Sequence, residues 1–253
     1  MTRTSMRDRS GTTTLVVGAS RGLGRGIAQA FADAGDQVVA VARTGPALDE
    51  LAAASANIRT EVADATDGSV ARDLLDQYDP DVVILVAGAS PVMRPLHQQT
   101  WDTFSVNWHT DVKIAFTWLR EALLKPLSPG ARVVVVSSGA ALNGSPASGG
   151  YAGAKATQRF IAGYSQDESR RAGLDITVTT VLPSMTPFGD VGRYGVRAYA
   201  ARSGQTEETY LEQLGELLTP EIAGSALVEL SRVDATTIVP AYVLTAAGLQ
   251  ALP

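Results

Sequence analysis

A hydroxyl, a phenol and an amine occur at spacings that suit redox chemistry on a carbonyl compound or an alcohol. Ser138 lies thirteen residues before Tyr151, and Lys155 follows four residues after it. On a helix, side chains at i and i+4 share a face, so Tyr151 and Lys155 can converge on one ligand. Ser138 would orient the reacting oxygen and Tyr151 would exchange a proton with it, while an ammonium beside a phenol favours the phenolate. We treat the three as candidate catalytic residues, although a Tyr-x-x-x-Lys pair also occurs by chance in many helices.

A glycine cluster follows the first apolar run of the chain. It reads GASRGLG and precedes a segment of helical periodicity. Glycines at a strand-to-helix turn allow close backbone approach, and a helix N-terminus attracts a pyrophosphate group. The spacing differs from the G-x-G-x-x-G fingerprint, so a simple tight turn is the alternative interpretation. The candidate dinucleotide contacts here are Gly18, Ser20, Arg21, Gly22, Leu23 and Gly24.

The end of the second apolar run bears on the choice of cofactor. In dinucleotide-binding folds, an acid about twenty residues after the glycine turn binds the ribose 2'-hydroxyl, whereas an arginine accepts a 2'-phosphate. The run ends in Arg43 and Thr44 with no acid, and Arg21 can approach the same phosphate. Guanidinium groups bind phosphate bidentately, so the sequence predicts NADP(H) over NAD(H); two solvated arginines are the alternative. Asp64 suits the adenine amino group, or is simply a polar strand end.

Short apolar runs alternate with segments of helical periodicity, which is typical of repeated βαβ units and a parallel sheet. The predicted strands are 14–17, 38–42, 58–62, 82–86, 132–136, 176–182 and 237–244. The predicted helices are 23–34, 47–54, 69–77, 100–124, 150–172 and 220–230. We therefore predict an α/β fold with a single Rossmann-like, doubly wound parallel sheet of about seven strands and helices on both faces.

Length and composition favour one domain. The 253 residues are 45% hydrophobic and 19% charged, as in ordinary globular domains. We expect residues 1–12 to form a disordered tail and residues 13–253 to form one dinucleotide-binding catalytic domain. The segment 183–211, rich in Gly, Tyr and Arg, is the longest break between predicted elements and is predicted to be a mobile lid over the substrate.

Several classes of protein are disfavoured. The net charge of -5 and the scattered basic residues leave no electrostatic footprint for nucleic acid or anionic membranes. We see no apolar stretch of signal-peptide or membrane-spanning length, so we expect a cytoplasmic protein, with a short transit peptide as the alternative for the tail. Cysteine is absent, and His97 and His109 are isolated, so we predict no metal site.

Together these motifs resemble the short-chain dehydrogenase/reductase family over nearly the whole chain, roughly Thr14 to Gly248. The glycine turn matches the family's pattern in position and spacing, and so do Asn107, Ser138, Tyr151 and Lys155. The resemblance implies hydride transfer between NAD(P)H and a carbonyl or alcohol. It also implies that Lys155 holds the nicotinamide ribose and that Asn107 anchors a water relay to Lys155; otherwise Asn107 is merely a polar helix residue. The Arg21 and Arg43 pair is similar to that of the family's NADPH-linked carbonyl reductases.

The sequence departs from the family pattern around the nicotinamide. The Asn-Asn-Ala-Gly signature is reduced to Ala87 and Gly88, the small pair that lets the cofactor pass. After the sixth strand Pro183 is followed by serine, and the family's threonine falls at Phe188, with Thr186 as a nearby substitute. These departures motivate an alternative function, an NADP(H)-binding regulatory or scaffold protein with little turnover.

The leading interpretation is an NADP(H)-dependent carbonyl reductase or alcohol dehydrogenase acting on an uncharged, apolar ketone or secondary alcohol, with Tyr151 as the acid/base. The family resemblance implies a homodimer or homotetramer in which the two long helices pack against their symmetry mates. Candidates for an apolar substrate pocket, or equally for core or interface, are Met93, Leu142, Met185, Phe188, Tyr194 and Tyr199.

Overall fold

Eight strands form one sheet in the computed structural model, which describes residues 11–252. In chain order they are β1 (Thr13–Val17), β2 (Gln37–Ala42), β3 (Ile58–Val62), β4 (Val82–Leu85), β5 (Arg132–Val136), β6 (Thr177–Pro183), β7 (Ala241–Thr245) and β8 (Gly248–Ala251). Their spatial order is β3-β2-β1-β4-β5-β6-β7-β8, and all pairs are parallel except β7 with β8. The first ten residues of the predicted tail lie outside the described residues.

Helices cover both faces of the sheet. They are α1 (Gly22–Asp33), α2 (Gly45–Ala54), α3 (Gly68–Tyr78), α4 (Trp101–Phe104), α5 (Lys113–Leu124), α6 (Ala140–Asn143), α7 (Tyr151–Ala172), α8 (Asp190–Arg202), α9 (Glu207–Leu214) and α10 (Pro220–Arg232). One apolar core lies between the sheet and α3, α5 and α7, and a second lies between the sheet and α1, α2 and α10. The predicted doubly wound α/β fold is confirmed.

The continuous apolar character of the strands follows from this double cover. Leu15 and Val17 of β1 belong to the first core, whereas Val16 belongs to the second. Because neighbouring residues of a strand point to opposite faces, a strand covered on both sides has no position for an exposed polar side chain. The uninterrupted runs in the sequence therefore predicted β1, β4 and β5 to within a residue or two.

Several elements differ from the prediction. Strand β7 begins at Ala241 rather than at residue 237, and the short helix α6 was not predicted. The helix expected over 100–124 is interrupted, because α4 ends early and a π-helical turn, Trp108–Val112, precedes α5. The segment 183–211 contains α8 and α9 rather than an open loop. The eighth strand, β8, pairs with β7 through a short hairpin; its sequence GLQA lacks the β-branched and aromatic residues that favour strands.

No helix among residues 11–252 has both the length and the apolar character needed to cross a lipid bilayer.

The turn between β1 and α1 is fixed by backbone contacts. The carbonyl oxygen of Val17 accepts hydrogen bonds from the Val86 and Ala87 N–H groups, at 3.0 and 2.7 Å. Gly18 then crosses this loop with φ +104°, and a Cβ placed on it would lie 2.6 Å from the Ala87 nitrogen. A Cβ on Gly24 would lie 2.1 Å from the Gly18 carbonyl oxygen. Only glycine fits at these two positions, so the glycine spacing is dictated by the contact between the loops after β1 and β4.

Gly18→Ala should be much more destabilising than Gly35→Ala. Both glycines have positive φ, but nothing lies within 4 Å of a Cβ built on Gly35, whereas one on Gly18 meets the Ala87 backbone. Both variants carry the cost of positive φ, roughly 1 kcal/mol for alanine, and overpacking should cost Gly18→Ala about 1–3 kcal/mol more. Urea unfolding of both variants measures the difference. Equal losses of unfolding free energy would show that the two loops can move apart at no cost.

Candidate active site

A cleft of about 1060 Å³ lies at the carboxyl ends of the parallel strands. In open α/β sheets this is the edge where ligands bind, next to the point where the strand order reverses. The cleft is lined by Ser138 and by all the predicted cofactor contacts. These are the six residues of the glycine turn named above, together with Arg43, Asp64, Ala87, Gly88, Tyr151, Lys155, Pro183 and Thr186. Asn107 is the exception among the predicted site residues, because it is buried behind the cleft wall.

Arg21 of the glycine turn contacts a carboxylate at the start of α8. Its Nη1 lies 2.5 Å from Asp190 Oδ2, and Arg193 Nη2 lies 2.5 Å from Asp190 Oδ1. The hydrogen bond from Arg193 and the positive charge of Arg21 hold the pKa of Asp190 below its usual value. The Arg21 side chain is 67% exposed, so this pair is worth only about 0–1 kcal/mol and an incoming anion can compete for the guanidinium. No local pattern in the sequence pointed to Asp190.

Arg43 and Asp64 lie together at the end of the cleft beside β2 and β3. Both side chains are exposed. Asp64 Oδ1 accepts a hydrogen bond from the Thr66 N–H at 2.9 Å. Hydrogen bonds from Thr66, and then the charge of Arg43, lower the pKa of Asp64. Asp64 is therefore an ionised neighbour of Arg43 as well as a possible acceptor for an adenine amino group.

The residues Ser138, Tyr151 and Lys155 meet where β5 ends and α7 begins. Tyr151 is the first residue of α7, and Lys155 Nζ lies 5.6 Å from the centroid of the Tyr151 ring. Ser138 Oγ accepts a hydrogen bond from the Ala140 N–H at 3.2 Å. The Ser137 hydroxyl donates to the Lys155 carbonyl oxygen at 2.8 Å, which ties the end of β5 to α7. The strand thus holds the serine against the helix that carries the phenol and the amine.

Asp111, which sequence reasoning missed, lies against Lys155. Its Oδ2 is 3.1 Å from Lys155 Nζ, and the two side chains are 1% and 6% exposed. Burial acts to lower the pKa of Lys155, but the Asp111 carboxylate and then the Tyr151 hydroxyl act against it, so that the pKa lies above its usual value. An acid four residues after Asn107, in a segment predicted to be helical, was the available signal.

Asn107 contacts this carboxylate rather than Lys155. Its Nδ2 donates to the Ala89 carbonyl oxygen at 2.7 Å and to Asp111 Oδ1 at 3.2 Å. Asn107 is therefore placed to orient Asp111, and the water relay to Lys155 that the resemblance implied stays a prediction.

Two observations of the cleft test whether a nicotinamide dinucleotide fits. The glycine turn forms a cradle at the N-terminus of α1, in which a Cβ at Gly18 would collide with neighbouring backbone. The Thr186 hydroxyl lines the cleft and is buried with no hydrogen-bond partner among the described residues. A buried hydroxyl without a partner is costly unless a ligand supplies one, and a carboxamide group would do so. The residues fit the cofactor at both its phosphate end and its nicotinamide end.

The remaining part of the cleft is lined by both apolar and uncharged polar side chains. Of the predicted substrate-pocket residues, those that line it are Met93, Leu142, Met185 and Tyr199. The Tyr199 hydroxyl hydrogen-bonds to Ser145 Oγ, and its ring stacks on Tyr210 with 6.4 Å between centroids. Phe188 and Tyr194 do not line the cleft and are half exposed. Within residues 11–252 no group of three or more acidic or histidine side chains is arranged to hold a metal ion.

Comparisons with known proteins agree with this geometry. Residues 12–197 match the family model described as short chain dehydrogenase. L-xylulose reductase of Mesocricetus auratus is 24% identical over 178 residues, covering 70% of this chain and 67% of the relative. Sulfoacetaldehyde reductase 2 of Chromohalobacter salexigens is 29% identical over 236 residues, covering 87% of this chain and 92% of the relative. A crystal structure of NAD+-bound xylitol dehydrogenase has the same fold, with a TM-score of 0.79 at 17% identity, over 93% of this chain and 97% of that one.

Proposed function

The chain belongs to the short-chain dehydrogenase family, and we propose that it is an NADP(H)-dependent oxidoreductase that transfers a hydride between the nicotinamide and a ketone or secondary alcohol. The observation that carries the proposal is the convergence of Ser138, Tyr151 and Lys155 on one cleft with the glycine turn. A hydroxyl, a phenol and an ammonium at one edge of a dinucleotide cleft provide what proton exchange with a carbonyl oxygen requires.

Each side chain has a role in the proposed reaction. A nicotinamide cofactor bound in the cleft supplies the hydride in reduction and accepts it in oxidation. During reduction negative charge develops on the carbonyl oxygen, to which the Ser138 hydroxyl donates a hydrogen bond and the Tyr151 hydroxyl donates its proton. The Lys155 ammonium favours the phenolate left on Tyr151. In the direction of oxidation the phenolate takes the proton of the alcohol by the same path.

The preference for NADP(H) is supported by the two arginines. Arg43 is exposed at the adenosine end of the cleft, and Arg21 extends from the glycine turn. A 2'-phosphate placed between them would compete with Asp190 for Arg21 and with Asp64 for Arg43. The Arg21–Asp190 pair is solvent-exposed and therefore weak, and Arg43 acts on Asp64 only through its charge, whereas a doubly charged phosphate offers a bidentate partner.

The proposed substrate is an uncharged, apolar ketone or secondary alcohol. The side chains beyond the catalytic residues include Met93, Leu142 and Met185, which offer apolar contacts, and the uncharged hydroxyls of Ser145, Tyr199 and Tyr210. Two of the enzymes similar to this chain, L-xylulose reductase and sulfoacetaldehyde reductase 2, are named as reductases, which agrees with carbonyl reduction as the class of reaction. We also propose that residues 13–253 act as one catalytic domain, with the α8–α9 segment as its lid.

Tyr151→Phe should abolish turnover and leave cofactor binding intact. The ring is retained while the acid/base group is lost, so kcat should fall at least a hundredfold. Ketone-dependent NADPH oxidation measures turnover, and the fluorescence of bound NADPH measures its affinity. The Kd for NADPH should change less than about twofold. Tyr194→Phe, on a half-exposed residue outside the cleft, is the matched control.

The alternative function has its own signature in the same assays. Wild-type protein that binds NADPH tightly and turns over none of a broad panel of ketones, diketones and secondary alcohols would favour a regulatory or scaffold protein. Equal turnover by the Tyr151→Phe variant would exclude Tyr151 as the acid.

Arg43→Ala should weaken the binding of NADPH and leave the affinity for NADH unchanged. Loss of one charge-assisted contact to the 2'-phosphate, about 1.5–3 kcal/mol, corresponds to roughly 10- to 100-fold in Kd. Titration of nicotinamide fluorescence with NADPH and with NADH measures both affinities. Arg170→Ala, on an exposed arginine of α7 paired with Asp167, should change neither. Tighter binding of NADH than NADPH by the wild type would overturn the assignment of Arg21 and Arg43.

A homodimer or homotetramer is supported by an exposed apolar face on α5 and α7. These two helices contact each other, and their large hydrophobic side chains that are more than half exposed to solvent are Phe116, Leu124, Phe160 and Tyr164. Large contiguous apolar patches on a folded protein mark interaction sites. We propose that this face packs against its symmetry mate.

Light scattering after size-exclusion chromatography should show a dimer or tetramer at micromolar concentration. A Phe160→Ser, Tyr164→Ser double variant should shift the mass towards that of a monomer, because it removes apolar area from the proposed interface. Val233→Ser, at an exposed apolar residue after α10, should leave the mass unchanged. A monomeric wild type would contradict the proposal.

A further inference from the structure

The protonation of Lys155 requires a physical cause. Lys113, Lys125 and Lys155 are the lysines of the chain, and the first two are exposed whereas Lys155 is buried. Moving an ammonium into a low-dielectric interior costs several kcal/mol, so an unpaired buried lysine loses its proton instead. The proposed role of Lys155 beside Tyr151 needs the charged form. Something in its surroundings must therefore offset the cost of burial.

The groups around Lys155 can be followed from one element to the next. Tyr151, which lies on the same helix as Lys155, has its ring near the ammonium. The end of β5 contributes the Val136 carbonyl oxygen at 3.5 Å. From the π-helical turn Asp111 approaches to 3.1 Å, while His109 of that turn and Lys113 just after it are exposed. Asp111 is the one acid within 4 Å of the ammonium in the part of the chain that the structure describes.

The carboxylate itself is held from several sides. Asp111 Oδ1 accepts the Ala89 N–H at 2.8 Å and the Asn107 amide at 3.2 Å. The backbone carbonyl oxygen of Asp111 accepts a hydrogen bond from Gln158 Nε2 of α7 at 2.9 Å. A Cβ on Gly88 would lie 2.6 Å from Asp111 Oδ2, so glycine at position 88 makes room for this carboxylate. Oδ2 accepts no hydrogen bond of good geometry from the described residues and contacts the ammonium.

We propose that Asp111 is a positioning residue, whose buried carboxylate keeps Lys155 protonated and holds its ammonium beside Tyr151. The proposal rests on the proposed function, because it assigns a purpose to the charge on Lys155. Asp111 borders the same cleft and acts through Lys155, whose ammonium its Oδ2 contacts. With its charge retained at alkaline pH, Lys155 can favour the Tyr151 phenolate over the range in which that phenolate accepts a proton from an alcohol.

A titration of the lysine side chains tests this without any turnover. Protein labelled with ¹³C and ¹⁵N in lysine gives three side-chain signals, and Lys113 and Lys125 serve as internal references. In the wild type, Lys155 should titrate at or above the two exposed lysines. In Asp111→Asn, which keeps the shape and removes the charge, Lys155 should titrate at least one pH unit lower than in the wild type.

A matched control separates this effect from the loss of any buried carboxylate. Asp36 is also buried, but it lies just before β2, at the opposite edge of the sheet from the cleft, and contacts Thr14 and Arg232. Asp36→Asn should leave the Lys155 titration unchanged. A wild-type Lys155 that titrates below the exposed lysines would overturn the proposal even if Asp111→Asn does not fold. A folded Asp111→Asn variant with an unchanged Lys155 titration would overturn it as well.

The pH profile of turnover provides the second readout. For alcohol oxidation, the alkaline fall in kcat/KM of Asp111→Asn should move to lower pH by the same amount as the Lys155 titration. A purely structural role would lower the rate at all pH values without moving the profile. If no alcohol or ketone is turned over, the proposed function fails while the lysine titration still decides the role of Asp111. If turnover is observed and Lys155 titrates unchanged, the role of Asp111 alone fails.

Discussion

The loop after β4 is the constraint on which the cleft depends, because two parts of the site are built against it. On one side Ala87 contacts the glycine turn so closely that no Cβ is tolerated at Gly18. On the other side the Ala89 N–H and the space left by Gly88 receive the Asp111 carboxylate. The phosphate cradle and the acid/base group are thus set at fixed positions relative to one short loop. This explains why the loop keeps small residues although it has lost the asparagines of the family pattern.

The electrostatics of the acid/base group follow from this placement. A lysine beside a tyrosine is useful only when it is charged, and charge in a buried position is costly without a counter-ion. The π-helical turn before α5 places Asp111 against the Lys155 ammonium, and the Ala89 N–H donates to the other oxygen of the carboxylate. In the proposed mechanism the same carboxylate also reduces the attraction that Lys155 exerts on a phenolate, because it lies against the ammonium.

Much of the fold could be predicted because strands covered on both faces have a simple sequence pattern. The same reasoning placed the glycine turn, Ser138, Tyr151 and Lys155 at one edge of the sheet, since local spacing and strand order suffice for that. It failed where structure depends on distant contacts. Arg21 and Asp190 are 169 residues apart in sequence, and no local pattern joins them. The π-helical turn was invisible as well, because apolar periodicity alone does not separate a wider turn from an α-helix.

Segment 183–211 joins one unpredicted contact, that of Asp190 with Arg21, to one predicted site residue, Thr186. Its helix α8 begins at Asp190, which contacts Arg21. The preceding residue, Gly189, lies beside the glycine turn, because a Cβ built on Gly22 would be 3.5 Å from the Gly189 Cα. Just before α8 lies Thr186, with its unpartnered hydroxyl in the cleft. In the proposed enzyme, a phosphate that competes for Arg21 therefore acts on the same segment that a carboxamide would engage through Thr186. Under this proposal cofactor preference and the position of the proposed lid would be coupled through Arg21, because its guanidinium contacts Asp190 at the start of α8.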